Sequence, residues 1–183
     1  MTVREAATRL AAHNAASPSR AGEGDAIDEA RRGAAGNEAR FVVPGFGDMP
    51  VLAIDSVSLC RAGERDAVVI TGSHGGLLGG RPLSAINTDV YAALFNDADV
   101  GIDVAGIGRL GPLNDRGIAG ITVSAWSARI GDARSTLEDG IVSFVNGRAH
   151  ALGARPGQTA RELLARLAEH WPQRNSNSKG KDQ

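Results

Sequence analysis

The sequence predicts an α/β fold: a three-layer, Rossmann-like domain with a mostly parallel sheet, an N-terminal helical extension and C-terminal helices. Two observations predict it. Three short, continuous apolar runs, at 67–70 (AVVI), 91–95 (YAALF) and 120–126 (GITVSAW), have the character of strands buried on both faces. The segments between them are long enough for the crossover helices that parallel neighbours need.

The 183 residues suit one domain with appendages. Residues 1–40 are rich in Ala, Arg, Glu and Gly and poor in large apolar side chains. Thr2 with Glu5 has capping-box spacing, and a second helical piece follows Asp25. Val3, Leu10 and Ile27 are too few to hold a core, so this segment reads as a helical or partly disordered extension. The folded body is read over 41–172. Strands are expected at 40–43 and 51–59, joined through the turn-rich PGFGDMP as a hairpin or tight corner. Ser135 with Glu138, and Thr159 with Glu162, repeat the capping spacing. Ile141, Val142, Phe144, Val145, Ala149 and Leu152 then fit one helical face, and Leu163, Leu164, Leu167 and Trp171 another. The polar run over 173–183 reads as a disordered tail.

Composition excludes several functions. A net charge of −1 argues against electrostatic binding to nucleic acid. Seven aromatic residues, four Phe, two Trp and one Tyr, are a poor supply for a base-stacking platform. Lysine occurs only at Lys179 and Lys181, so no Schiff-base or Walker lysine can sit in the body. The N-terminus has no signal-like apolar run, and no stretch approaches 18 apolar residues, so the expectation is a soluble, cytoplasmic protein with no membrane partner. Cys60 is the one cysteine, which forbids an intrachain disulfide, and it reads as a buried small side chain.

Each buried-strand candidate runs into a polar, glycine-containing loop: 71–81 (TGSHGGLLGGR), 96–103 (NDADVGID) and 127–135 (SARIGDARS). Parallel strands would bring all three to one sheet edge, where open α/β sheets bind ligands. In the first loop His74 would donate or accept a proton, and Ser73, Gly75 and Gly76 would bind substrate, the glycines bringing backbone N–H groups close to an anion. In the second, Asn96 and Asp97 would orient the histidine or the substrate, and Asp103 suits a helix N-cap. In the third, Arg129 would anchor a carboxylate or phosphate, with Ser127 beside it. Asp132 is either a catalytic carboxylate or the structural partner of Arg129 or Arg134.

Two short strings resemble known families. HisGlyGly at 74–76 resembles the oxyanion-hole loop of some lipases and esterases, but the chain has no G-x-S-x-G nucleophile elbow. The strand ending in Asn96-Asp97-Ala98-Asp99 resembles the first motif of haloacid-dehalogenase-type phosphatases. That likeness would make Asp97 a nucleophile and Asp99 an acid/base around Mg²⁺; the lysine of that family is missing from the body. The glycine loop lacks both the G-x-G-x-x-G spacing and the Lys-Ser/Thr pair of a P-loop. No His-x-x-x-His or Cys-x-x-Cys spacing suggests zinc, so no cofactor is expected, with a carboxylate-held Mg²⁺ near Asp97 left open.

The reading with most support is a small-molecule enzyme: a hydrolase, or a lyase or isomerase working by proton transfer, on a small carboxylate- or amide-bearing metabolite. His74, Asp97 and Asp132 would be catalytic. One alternative is a non-catalytic binding or regulatory module for an anionic metabolite. The other is a homo-oligomeric assembly protein, built through the Arg/Asp loop and the N-terminal extension.

Overall fold

Successive side chains of a strand point to opposite faces of its sheet, and the central strands here are apolar on both. The computed structural model describes residues 39–178. Six strands form one sheet: β1 Arg40–Val42, β2 Val51–Ile54, β3 Val68–His74, β4 Ala92–Asn96, β5 Ala119–Val123 and β6 Val142–Val145. Val51, Ala53, Val68, Ile70, Ala92 and Leu94 join one apolar cluster, while Leu52, Ile54, Val69, Ala93 and Phe95 join a second. The strict alternation places the two clusters on opposite sides of the sheet.

The class is α/β and the sheet is mixed. β2, β3, β4 and β5 pair in parallel, while β1 lies antiparallel on β2 and β6 antiparallel on β5. The strands lie side by side in chain order. A Rossmann-like sheet reverses its order at a switch point; this one has no reversal. The carboxyl ends of β2 to β5 still share one edge, because those four strands run the same way.

The helices are α1 Leu110–Asp115, α2 Ala133–Glu138, α3 Gly147–Ala151 and α4 Ala160–Ser178. Of the three parallel crossovers only the last, from β4 to β5, holds an α-helix; elsewhere they consist of 3-10 turns, such as Val57–Leu59, Ala62–Glu64, Leu78–Gly80 and Pro82–Ser84. Glycine and proline explain this in the β3–β4 connection: Gly79 and Gly80 take left-handed torsions (φ 57° and 68°), and Pro82 follows. The β1–β2 hairpin forms as expected, with Arg40 opposite Ile54 and Val42 opposite Leu52.

The helix expected after Ser135 is a correction. It starts earlier, capped by Asp132, and stops at Glu138. Residues 142–145 are strand β6 instead, with Val145 opposite Ile121 and Phe144 opposite Thr122. Four apolar residues within 141–145 satisfy a helical face as well as an edge strand, and β5 had an edge to be covered.

The capping box at Thr159 is present: Thr159 N–H donates to Glu162 Oε2 at 2.8 Å, and Glu162 N–H to Thr159 Oγ1 at 3.2 Å. α4 buries Leu163, Leu164 and Leu167 completely and sets Trp171 edge-on to Tyr91, 5.0 Å between ring centroids. Its backbone continues to Ser178, into the segment that composition assigns to a tail. Residues 1–38, which hold most of the expected extension, and 179–183 lie outside the described residues. Among the described residues no helix is long and apolar enough to cross a membrane.

Candidate functional site

The glycines of the first loop let two loops touch backbone to backbone. A Cβ on Gly75 would stand 2.4 Å from Gly106 O, and one on Gly76 would stand 2.9 Å from Ala105 O. One on Gly72 would stand 2.4 Å from Asp132 N and 2.8 Å from Asp55 O. Real Cβ atoms do not tolerate such distances. The loop after β3 is thus pressed against the loop after β4 at Gly75 and Gly76, and β3 itself against the start of α2 at Gly72.

Both amides expected to greet an anion are already engaged. Gly75 N–H donates to Asn96 O at 2.7 Å, and Gly76 N–H donates to His74 Nδ1 at 3.1 Å. The second bond has a chemical consequence. It makes Nδ1 the acceptor, so a neutral ring carries its proton on Nε2. His74 is exposed, and it lines a cavity of about 510 Å³ together with Gly76, Leu77, Gly80, Ala98, Gly101, Ala105, Gly106 and Gly108. The cavity lies between the loops that follow β3 and β4. Among the described residues, His74 is its one ionisable lining side chain.

The wall contributed by the β4 loop has unusual torsions. Ala98, Asp99, Val100, Asp103 and Val104 all have left-handed φ between 48° and 63°, and Gly101 has φ 67°. Such torsions cost an L-residue roughly 1–2 kcal/mol each, and they are least suited to β-branched valine. Backbone bonds hold the segment, Val100 N–H to Asp97 O at 2.8 Å and Gly106 N–H to Val100 O at 2.8 Å among them, and side chains add to them. Asp97 Oδ1 accepts from Asp99 N–H at 3.0 Å and from Ala125 N–H at 2.9 Å. Asp99 Oδ1 accepts from the indole Nε1–H of Trp126, itself 85% exposed, at 3.0 Å.

Asp97 is buried, and its Oδ2 has no hydrogen-bond partner among the described residues. It stands behind the cavity wall, next to Ala98. Asn96 is fully buried and engaged at both ends of its amide: Nδ2 donates to Ala128 O at 2.9 Å and Oδ1 accepts from Ala98 N–H at 2.8 Å. Asp103 sits at φ 55° within a 3-10 turn, not at an N-cap.

The third loop does not reach the cavity; no residue of 124–135 lines it. Arg129 donates from Nε and Nη2 to Asp132 Oδ2, at 3.2 and 2.9 Å. Asp132 Oδ1 accepts from Ser135 N–H at 2.8 Å as the N-cap of α2. Burial pushes the Asp132 carboxyl up, but Ser135 N–H and the Arg129 guanidinium outweigh it and hold the group below its ordinary range. Ser127 Oγ donates to Ser124 O and accepts from Ile141 N–H, and Ser73 Oγ accepts from Val57 N–H. Each of these hydroxyls staples one segment to another. Cys60 is buried, and that burial pushes its thiol up to about 11, which keeps it protonated at neutral pH.

Two residues escaped sequence reading. Asp55, at the end of β2, accepts from Ala133 N–H at 2.9 Å and Ala39 N–H at 2.7 Å, adding a second carboxylate to the head of α2. Arg109 is 1% exposed, and burial holds its guanidinium below the usual arginine range. It donates to the carbonyls of His74, Ser84 and Ala85, lies 5.2 Å from the Phe95 ring centroid, and has no carboxylate partner among the described residues. Its backbone N–H donates to Gly75 O at 2.8 Å, so Arg109 ties down the segment that carries His74. An arginine inside GIGRLGPL was the available signal.

Among the described residues no group of three or more His, Cys, Asp or Glu side chains gathers as a metal site requires. No protein-family model, curated protein or solved structure matches this chain.

Proposed function

We propose that this chain is a small-molecule enzyme in which His74 transfers a proton to or from a ligand held in the glycine-walled cavity. The substrate class that suits it is a small carboxylate- or amide-bearing metabolite, and the reaction is an elimination, isomerisation or hydrolysis. The observation that carries the reading is the Gly76 N–H bond to Nδ1. It leaves Nε2 as the proton-carrying atom of an ionisable side chain that lines a substrate-sized space. Asp97 supports the wall behind Ala98. No oxyanion role is given to Gly75 or Gly76, whose N–H groups are engaged, and no anchoring role to Arg129, which is bound to Asp132 away from the cavity.

The second reading is a binding module, and one observation favours it: beside His74 the cavity offers glycine, alanine and leucine, with no second acid or base. One experiment separates the two. The chain and its His74→Ala variant are incubated in D₂O with a panel of small carboxylates and amides, and deuterium uptake and product formation are followed by NMR. The enzyme reading expects turnover that falls at least about 100-fold in the variant. Ligand binding without exchange or product in the wild type establishes the module instead.

A further inference from the structure

Gly75 sits between two peptide units, and each unit is held at both ends. In the unit that joins His74 to Gly75, the His74 carbonyl accepts from Arg109 Nε–H at 3.2 Å, and Gly75 N–H donates to Asn96 O at 2.7 Å. In the unit that joins Gly75 to Gly76, the Gly75 carbonyl accepts from the Arg109 backbone N–H at 2.8 Å, and Gly76 N–H donates to His74 Nδ1 at 3.1 Å. A peptide unit is planar, so holding its carbonyl sets the direction of its N–H. One residue thus holds both carbonyls, and the second of them aims the N–H that meets the imidazole. That N–H makes the ring's one hydrogen bond among the described residues.

Arg109 is a firm anchor for this arrangement. Its side chain is buried, and Nη1 donates to the carbonyls of Ser84 and Ala85 at the far end of the β3–β4 connection. The guanidinium lies 5.2 Å from the Phe95 ring centroid. Gly106 O closes the other side of the turn, 2.4 Å from where a Cβ on Gly75 would stand. Hydrogen bonds in such a chain, from Arg109 N–H through one peptide unit to Nδ1, polarise one another.

We propose that Arg109 is the positioning residue of His74: through the two peptide units that flank Gly75 it fixes the imidazole in the form that carries its proton on Nε2. Arg109 does not line the cavity and acts through His74 alone. The role deepens the reading of His74 as the proton-transfer group and rests on it, yet the tautomer is a property of the free protein and is measured without substrate.

The test reads the ring nitrogens of His74 in the full chain by long-range nitrogen–proton NMR, with the ring neutral; His74→Ala identifies its signals among those of His13, His150 and His170. The wild type should show two well-separated nitrogen shifts, those of a ring with its proton fixed on Nε2. Arg109→Met should bring the two shifts toward each other as the tautomers begin to exchange. A loss of stability alone does not move them, since they are read in the folded protein. Averaged shifts in the wild type, or unchanged shifts in a folded Arg109→Met, overturn the proposal. If Arg109→Met does not fold, the chain of bonds is read from its other end. His74 is exposed, so His74→Ala keeps the core intact. There the Arg109 amide should exchange with D₂O about fivefold faster, the worth of one hydrogen bond, while the Ser124 amide, bonded to Ile141 O, stays as it was. An Arg109 amide indifferent to the loss of the ring overturns the proposal as well. The predicted tautomer change in a protein with no turnover would leave Arg109 its role and the enzyme reading refuted; turnover with a tautomer indifferent to Arg109 would do the reverse.

Discussion

Asp97 Oδ1 accepts the N–H of Ala125 at 2.9 Å, which ties the end of β4 to the loop beyond β5. The same oxygen accepts from Asp99 N–H, so one buried atom anchors two loops. Asp97→Ala leaves both N–H groups without their acceptor and should destabilise the fold by about 1–3 kcal/mol. Asp97→Asn keeps an acceptor and should lose less. Urea midpoints of the two variants decide it; equal losses would mean that the charge, not the hydrogen bonds, matters there.

Arg109 is held by three carbonyls and an aromatic face, without a carboxylate among the described residues. Removing it by Arg109→Met ends the desolvation cost of the cation but strands those carbonyls, for a net loss of about 2–4 kcal/mol. Arg109→Lys should not restore stability, because an ammonium cannot reproduce the flat fork of the guanidinium. A lysine variant as stable as the wild type in thermal unfolding would refute this account.

Gly72 faces Asp132 N, Gly131 C and Asp55 O, all within 2.8 Å of where a Cβ would lie. Since all three are backbone atoms, none can swing aside. Gly72→Ala should cost near the top of the roughly 1–3 kcal/mol typical of overpacking. Gly111→Ala, where a Cβ meets nothing within 4 Å, is the control and should be neutral or stabilising.

The Asp132 carboxyl titrates below its ordinary range in the fold. A depressed acid stabilises the native state fully above its unfolded pKa, near 3.9, and loses that contribution as pH falls through the lower folded value. Stability measured from pH 6 down to pH 2 should therefore drop less steeply in Asp132→Ser, which keeps a cap but not the charge. Parallel curves for the two proteins would show that Asp132 contributes nothing through its ionisation.

Strand existence was legible from the chain because the central strands are apolar on both faces: AVVI, YAALF and GITV need no partner to be recognised. The Thr159–Glu162 cap was legible for a similar reason, since its signal is local. The order of strands was not, because pairing depends on contacts between residues far apart in sequence. Nor was β6, whose pattern fits two periodicities. At the site, His74 and its glycines were singled out, but the glycines were read as an anion cradle when Gly75 and Gly76 are where two loops press together. Of the two readings open for Asp132, the structure shows its pairing with Arg129. Such mutual pairing is settled by geometry that composition does not carry.

Because sheet neighbours are also chain neighbours from β1 to β6, no strand waits for a distant partner before it pairs. Contacts of modest sequence separation close early and favour rapid folding. During synthesis β2 can be joined by β3, then β4, then β5, each addition extending a template already in place. β6 closes the growing edge, and α4, which follows it in the chain, covers the Tyr91 side with Trp171. Assembly can thus follow the direction of translation, and the carboxyl-edge loops are completed one after another as each new strand arrives.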